Sequence, residues 1–182
     1  MVNKGKMISR RQFLRADFSR RRSVLRPPWA LTEEQFLQQC DGCARCVEAC
    51  PTHVVSLVAR YPQIDFLNGE CTFCKRCADA CPTGALQRSE AEQTPWTTTA
   101  QINNGCLAHQ GVVCLVCKEY CEARAISFPF KPGQTATPVV NAALCTGCGA
   151  CVAPCPTRAI SMYQAQREFV DQKILVKEIV CT

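Results

Sequence analysis

The chain has no run of 18 or more apolar residues, so no segment is expected to enter a membrane as a helix. It has only two histidines, His53 and His109, and no Ser/His/Asp set, phosphate loop or paired-carboxylate site. No catalytic centre is expected from such a chain, and it reads as a non-enzyme. It also lacks the array of aromatics on which single-stranded nucleic acid stacks, so nucleic acid is not an expected partner. What it does have is cysteine: 17 in 182 residues. That density marks either a disulfide scaffold or a metal protein, and spacing decides between them.

Sixteen of the cysteines fall into four runs. The first is "CDGCARCVEACP", with Cys40, Cys43, Cys46 and Cys50. The second is "CTFCKRCADACP", with Cys71, Cys74, Cys77 and Cys81. The fourth is "CTGCGACVAPCP", with Cys145, Cys148, Cys151 and Cys155. All three read C-x2-C-x2-C-x3-C-P, the spacing of bacterial [4Fe–4S] ferredoxins. The third run, "CLAHQGVVCLVCKEYCE", is an expanded copy in which seven residues separate Cys106 from Cys114. Cys117 and Cys121 follow at the usual intervals, and Glu122 replaces the proline. Disulfides rarely arrange in such runs, and four-cysteine zinc sites use two separated C-x2-C pairs. The seventeenth, Cys181, has no run to join and reads as a spare thiol.

The spacing has a local logic. Three cysteines with two residues between them let a tight loop wrap one cluster. The fourth lies about one helical turn beyond the third and ligates the other cluster of a pair. The proline after it stops the helix. The expected ligand sets therefore cross over. Cluster one takes Cys40, Cys43, Cys46 and Cys81; cluster two takes Cys71, Cys74, Cys77 and Cys50. Cluster three takes Cys106, Cys114, Cys117 and Cys155; cluster four takes Cys145, Cys148, Cys151 and Cys121. Four [4Fe–4S] clusters are the expected cofactors. His53 and His109 sit beside the runs, but thiolates already fill the ligand count.

The expected fold class is α+β: two tandem bacterial 2[4Fe–4S] ferredoxin-like modules behind a disordered basic N-terminal arm. The arm spans 1–32, the first module 33–90, a linker 91–104, the second module 105–163 and a C-terminal extension 164–182. Short strands are expected at "VVSL" and "QIDFL" around a Tyr61–Pro62 turn, and on either side of Pro132–Gly133. "ALQ" and "AISMY", after runs two and four, are expected as paired edge strands. The polar stretch between the modules reads as linker. The extension carries Phe169, Ile174, Leu175, Val176, Ile179 and Val180, a pattern for an amphipathic helix or strand that packs on the body or binds a partner. So small a core is not expected to fold without its clusters.

Charge is lopsided. Residues 1–28 hold nine Lys/Arg against Asp17, a net +8, while the remainder holds 12 basic and 14 acidic residues. Each oxidised cluster with its four thiolates adds about −2, so the loaded body is near −10, roughly, against its basic tail. "SRRQFL", from Ser9 to Leu14, matches the start of a twin-arginine export signal. Charges interrupt every window after Leu14, so the apolar stretch that such a signal needs is missing. The tail is expected to be a solvated arm or a docking arm, not an export signal.

The four-run order, the seven-residue gap in "CLAHQGVVCLVCKEYCEARAISF" and the "LRPPWA" segment ahead of "FLQQCDGC" resemble the NapF-type ferredoxins, accessory proteins of the bacterial periplasmic nitrate reductase system. The resemblance runs from about Ser9 to Ser161. It implies a soluble, cytoplasmic protein with four [4Fe–4S] clusters. It implies as partner the catalytic nitrate reductase subunit before export, which carries its own molybdenum cofactor and twin-arginine signal. The role implied is assistance in maturation, by cluster insertion or reductive activation. The alternative is an electron-transfer ferredoxin subunit passing electrons to a respiratory oxidoreductase.

Overall fold

Short spacings between cysteines leave room only for short elements. The computed structural model describes residues 24–87 and 96–164. Helix α1 (Glu33–Gln39) is the longest among them. Thr32 caps it, accepting from the Gln35 amide at 3.5 Å, and Glu33 and Glu34 face the positive end of its dipole. Its one buried residue, Phe36, is a centre of the core. Helices α2 (Arg45–Glu48), α3 (Arg76–Asp79) and α4 (Val116–Glu119) are single turns. Each carries the third cysteine of its run, Cys46, Cys77 or Cys117, on its buried side. Run four makes no such helix. Val152 and Cys155 donate to carbonyls three residues back, in a succession of turns. Pro154 has no amide to continue a helical ladder there.

Strands β1 (Val55–Val58) and β2 (Tyr61–Ile64) form an antiparallel hairpin, with Val58 opposite Tyr61 and Val55 opposite Ile64. The turn is at Ala59–Arg60, not at Tyr61–Pro62 as the proline suggests. Both turn residues have positive φ, 48° and 70°, as a two-residue hairpin loop requires and proline forbids. Pro62 instead sits in β2 opposite Leu57. Ladder alternation makes that a pair without hydrogen bonds, so its missing amide costs nothing. In the second half, β4 (Ile126–Ser127) pairs with β5 (Val139–Val140), and the expected turn at Pro132–Gly133 is present, with Gly133 at φ 70° and Gln134 N–H bonded to Lys131 O.

Two segments behave differently from their composition. The polar stretch read as linker contains β3 (Thr98–Ile102), which pairs along its whole length with β6 (Ile160–Gln164). Thr98 and Ala100 are buried at alternate positions, and the β-branched threonines that made the stretch look polar suit a pleated surface. The basic arm enters the fold over its last residues. Ile64 N–H donates to Leu25 O, Leu31 N–H to Ala85 O and Gln87 N–H to Trp29 O, while Ala30 bridges Leu86. Arg26 makes a two-pronged ion pair with Glu33 at 3.0 and 2.6 Å, donates to Pro62 O and lies 4.7 Å over the Phe36 ring. "ALQ" and "AISMY" thus do not pair with each other. Each pairs with the stretch that precedes the first run of its own half. The rest of the arm, residues 88–95 and residues 165–182 lie outside the described residues.

One contiguous set of buried side chains runs from Trp29 and Phe36 through Phe66 and Trp96 to Val152 and Ile160. The halves therefore share a core. Among the described residues no helix is long and apolar enough to cross a membrane.

Candidate iron–sulfur sites

A loop wraps inward when successive residues alternate into the left-handed region and turn their amides toward one side. Runs one, two and four share this device. The second residue of the first spacer has positive φ in each: Gly42 (76°), Phe73 (53°) and Gly147 (77°). So does the first residue of the second spacer: Ala44 (64°), Lys75 (68°) and Gly149 (79°). Three of the six are not glycine, and left-handed backbone at such residues costs of order 1–3 kcal/mol each. Run three departs. Leu115, in the place of Ala44, has φ −120°. Its seven-residue spacer closes on itself instead, with Gln110 N–H bonded to Cys106 O and Val112 N–H to Leu107 O, and with Ala108 buried. The detour returns Cys114 to Cys106.

The residue three beyond each fourth cysteine also has positive φ: His53, Gly84, Arg124 and Arg158. This folds the following amides back onto the sulfur. Ala125 and Ala159 donate to the Cys121 and Cys155 sulfurs at 3.2 and 3.3 Å. Thr52, Thr83 and Thr157 add hydroxyl contacts to Cys50, Cys81 and Cys155 at 3.6, 3.7 and 3.9 Å. Run three has Ala123 at that position, and Cys121 gets no hydroxyl from it.

The sixteen cysteines come together in four cavities. Site one is lined by Cys40, Cys43, Cys46 and Cys81; site two by Cys50, Cys71, Cys74 and Cys77. Site three is lined by Cys106, Cys114, Cys117 and Cys155; site four by Cys121, Cys145, Cys148 and Cys151. Each cavity therefore draws three cysteines from one run and the fourth from the other run of its half. The empty space in each is about 310–330 Å³, counting the part open to solvent. Neither His53 nor His109 lines any of them. His109 lies instead 3.3 Å from Asn103 O. Cys181 lies outside the described residues.

None of these sixteen is in a disulfide. Among the described residues no three His, Cys, Asp or Glu groups converge tightly enough to hold a single metal ion. A tetrahedral zinc with Zn–S near 2.3 Å would draw its sulfurs to about 3.8 Å apart. The four thiols of each site stand around a volume, as a cluster with several irons requires. Their electrostatics fit a cofactor that brings positive charge. Burial, then neighbouring thiols, pushes Cys46 and Cys117 up to about 11 and Cys151 up to about 12. Burial pushes Cys71 up to about 11 and Cys77 up to about 12, again with neighbouring sulfurs adding to it. Cys50 and Cys81 go the other way. Burial opposes the change, but the Thr52 hydroxyl and nearby amides lower Cys50, and the Leu86 amide and Thr83 lower Cys81. Loading iron must release protons from the buried thiols.

Loops of this kind around cysteine-lined cavities define the ferredoxin-type iron–sulfur proteins, and residues 39–85 match a 4Fe–4S dicluster domain family while residues 138–161 match a 4Fe–4S binding domain family. Neither match reaches the expanded third run. The chain is 40% identical over 166 residues to the ferredoxin-type protein NapF of Haemophilus influenzae, across 85% of this chain and 93% of that one. It is 38% identical over 154 residues to NapF of Escherichia coli K12, across 84% and 93%. The chain belongs to the NapF family of ferredoxin-type proteins. It is also 35% identical over 149 residues to the methylamine utilization ferredoxin-type protein MauM of Paracoccus denitrificans, across 72% of this chain and 66% of that one.

Proposed function

We propose that the chain holds four [4Fe–4S] clusters in the crossed sets at sites one to four. We propose further that it acts in the cytoplasm as an accessory protein for the catalytic subunit of periplasmic nitrate reductase, assisting its maturation before export. Membership of the NapF family supports the system served. The observation that carries the cofactor reading is the lining of each cavity by three cysteines of one run and one of its partner run. When bound, the clusters supply one-electron chemistry or a transferable iron–sulfur unit. The chain's own part is to hold the thiols, aim amides at the sulfurs and limit water. Iron and sulfide analysis after anaerobic purification should give about four clusters per chain. Fractionation of cells grown anaerobically on nitrate, with pull-down from the cytoplasm, should recover the unexported reductase precursor. Recovery from the periplasm with mature reductase would overturn this reading.

A second reading, an electron-carrying subunit of a respiratory chain, is favoured by one observation: the two halves share a core, as a continuous carrier needs. A carrier must be present throughout turnover. A maturation factor is dispensable once the reductase is made, so depleting the protein after reductase synthesis separates the two.

Cluster insertion needs a site that lets go, and site three is the one whose loop differs. It lacks the left-handed residue before its helix, and Val113 beside Cys114 is 80% exposed. Cys106→Ser is expected to lose about one cluster's iron, roughly a quarter of the total, and to impair maturation. Retention of all iron with full maturation activity would defeat this assignment.

Site four differs in another way, through Ala123. Ala123→Thr is expected to raise the reduction potential of site four alone, because a hydroxyl donated to Cys121 sulfur stabilises the more negative, reduced cluster. Thr83→Ala should lower the potential of site one for the same reason. Redox poising followed by electron paramagnetic resonance measures both, and unchanged midpoints in both variants would dismiss the role of the threonines.

A further inference from the structure

The two halves meet through residues that lie inside the cysteine runs themselves. Cys71, the first cysteine of run two, donates its amide to the carbonyl of Cys148 in run four at 2.8 Å. Cys71 lines site two and Cys148 lines site four. Trp96 is wedged beside this bond. It stands edge-on to Phe73 of run two at 5.9 Å and to Phe66 at 6.0 Å, and its ring N–H donates to Thr146 O of run four at 3.1 Å. Gly149 of run four has no side chain because the Phe66 ring occupies the space a Cβ would take. Phe66 and Trp96 are both buried. The junction is therefore a packed, hydrogen-bonded interface between the loops of sites two and four.

Within each half the neighbours follow from the crossed runs. Sites one and two share the packed helices α2 and α3, and sites three and four are tied by α4, which carries Cys117 and leads to Cys121. All residues lining site one belong to the first half and all those lining site three to the second, and none belongs to the junction.

We propose that the four sites form one unbranched series in the order one, two, four, three, with the Cys71–Cys148 contact as its middle link. Phe66, Trp96 and Gly149 are positioning residues for that link. Sites one and three are the two ends, although sites two and three are the consecutive ones along the chain. This rests on the reading that all four sites hold [4Fe–4S] clusters, and the tests separate the two ideas.

The first test removes both ends from the full chain, with Cys40→Ala and Cys43→Ala at site one and Cys106→Ala and Cys114→Ala at site three. Iron should fall to about half of wild type, which checks the four-site reading by itself. In the fully reduced variant, paramagnetic resonance should show two signals that broaden or split one another. Half the iron with two unperturbed signals overturns the series, since independent halves would leave sites two and four apart. The second test needs no ligand removed. A protease recognition sequence is inserted between residues 88 and 95, and the loaded full chain is cut there. The halves should still co-elute in gel filtration, held by the junction. If they separate, the proposal is wrong even where the iron count is right. If the four-alanine variant fails to load, this cut decides.

Discussion

Stripping iron from the loaded protein with a chelator under anaerobic conditions is expected to abolish its tertiary structure. Nothing in the secondary structure stands alone. Three of the four described helices are single turns of four residues, far below the length at which a helix is stable in water. Each of the three sheets among the described residues has two strands, and such a pair is marginal by itself. Five of the buried core residues are cysteines: Cys46, Cys50, Cys77, Cys117 and Cys151. Far-UV circular dichroism and limited proteolysis of the stripped chain measure the effect. A cooperative thermal transition that survives complete iron removal would show that the core carries the fold.

Gly149→Val is expected to be the most damaging single substitution outside the cysteines. Two separate demands meet at this residue. Its φ of 79° lies in the region where a β-branched side chain is strained, a cost of about 1–2 kcal/mol or more. A Cβ there would also enter the Phe66 ring. The residue sits between Cys148 and Cys151, so either the site-four loop or Phe66 must move. Iron should fall by about a quarter, with a lower thermal midpoint than wild type. Combining Gly149→Ala with Phe66→Ala relieves the overlap but not the backbone strain, and partial recovery relative to Gly149→Ala alone would apportion the two. A Gly149→Val chain with full iron and an unchanged midpoint would show that the junction yields easily.

Which cysteines share a cavity was legible from spacing because the constraint is local. Three thiols wrap one volume from a single loop, and one turn of chain carries the fourth across. The same spacing announced the departure of run three, which the structure shows as a spacer closed on itself between Cys106 and Cys114, with a second departure at Leu115 that the spacing did not announce. The hairpin turn was misplaced because Pro62 is a stronger turn signal than Ala59–Arg60, whose positive φ angles are imposed by strand twist. β3 was hidden by its threonines, which are polar in composition and β-formers in shape. The arm was read by charge alone, yet Arg26 belongs to the core of the first half, clasping Glu33 and covering Phe36. The contact between Phe66 and Gly149 joins residues 83 positions apart, and no local pattern announces it.

The pairing of each entry segment with the far end of its own half sets a timetable. Residues 29–31 can bond with 85–87, and β3 with β6, only after all eight cysteines between them have been synthesised. Chains emerge from the ribosome N-terminus first, at about 5–20 residues per second. The first half is thus complete and can close around its iron while the second is still being made. The junction face of Cys71, Phe66 and Phe73 can then be finished before run four arrives to meet it, a template against which the second half can be assembled.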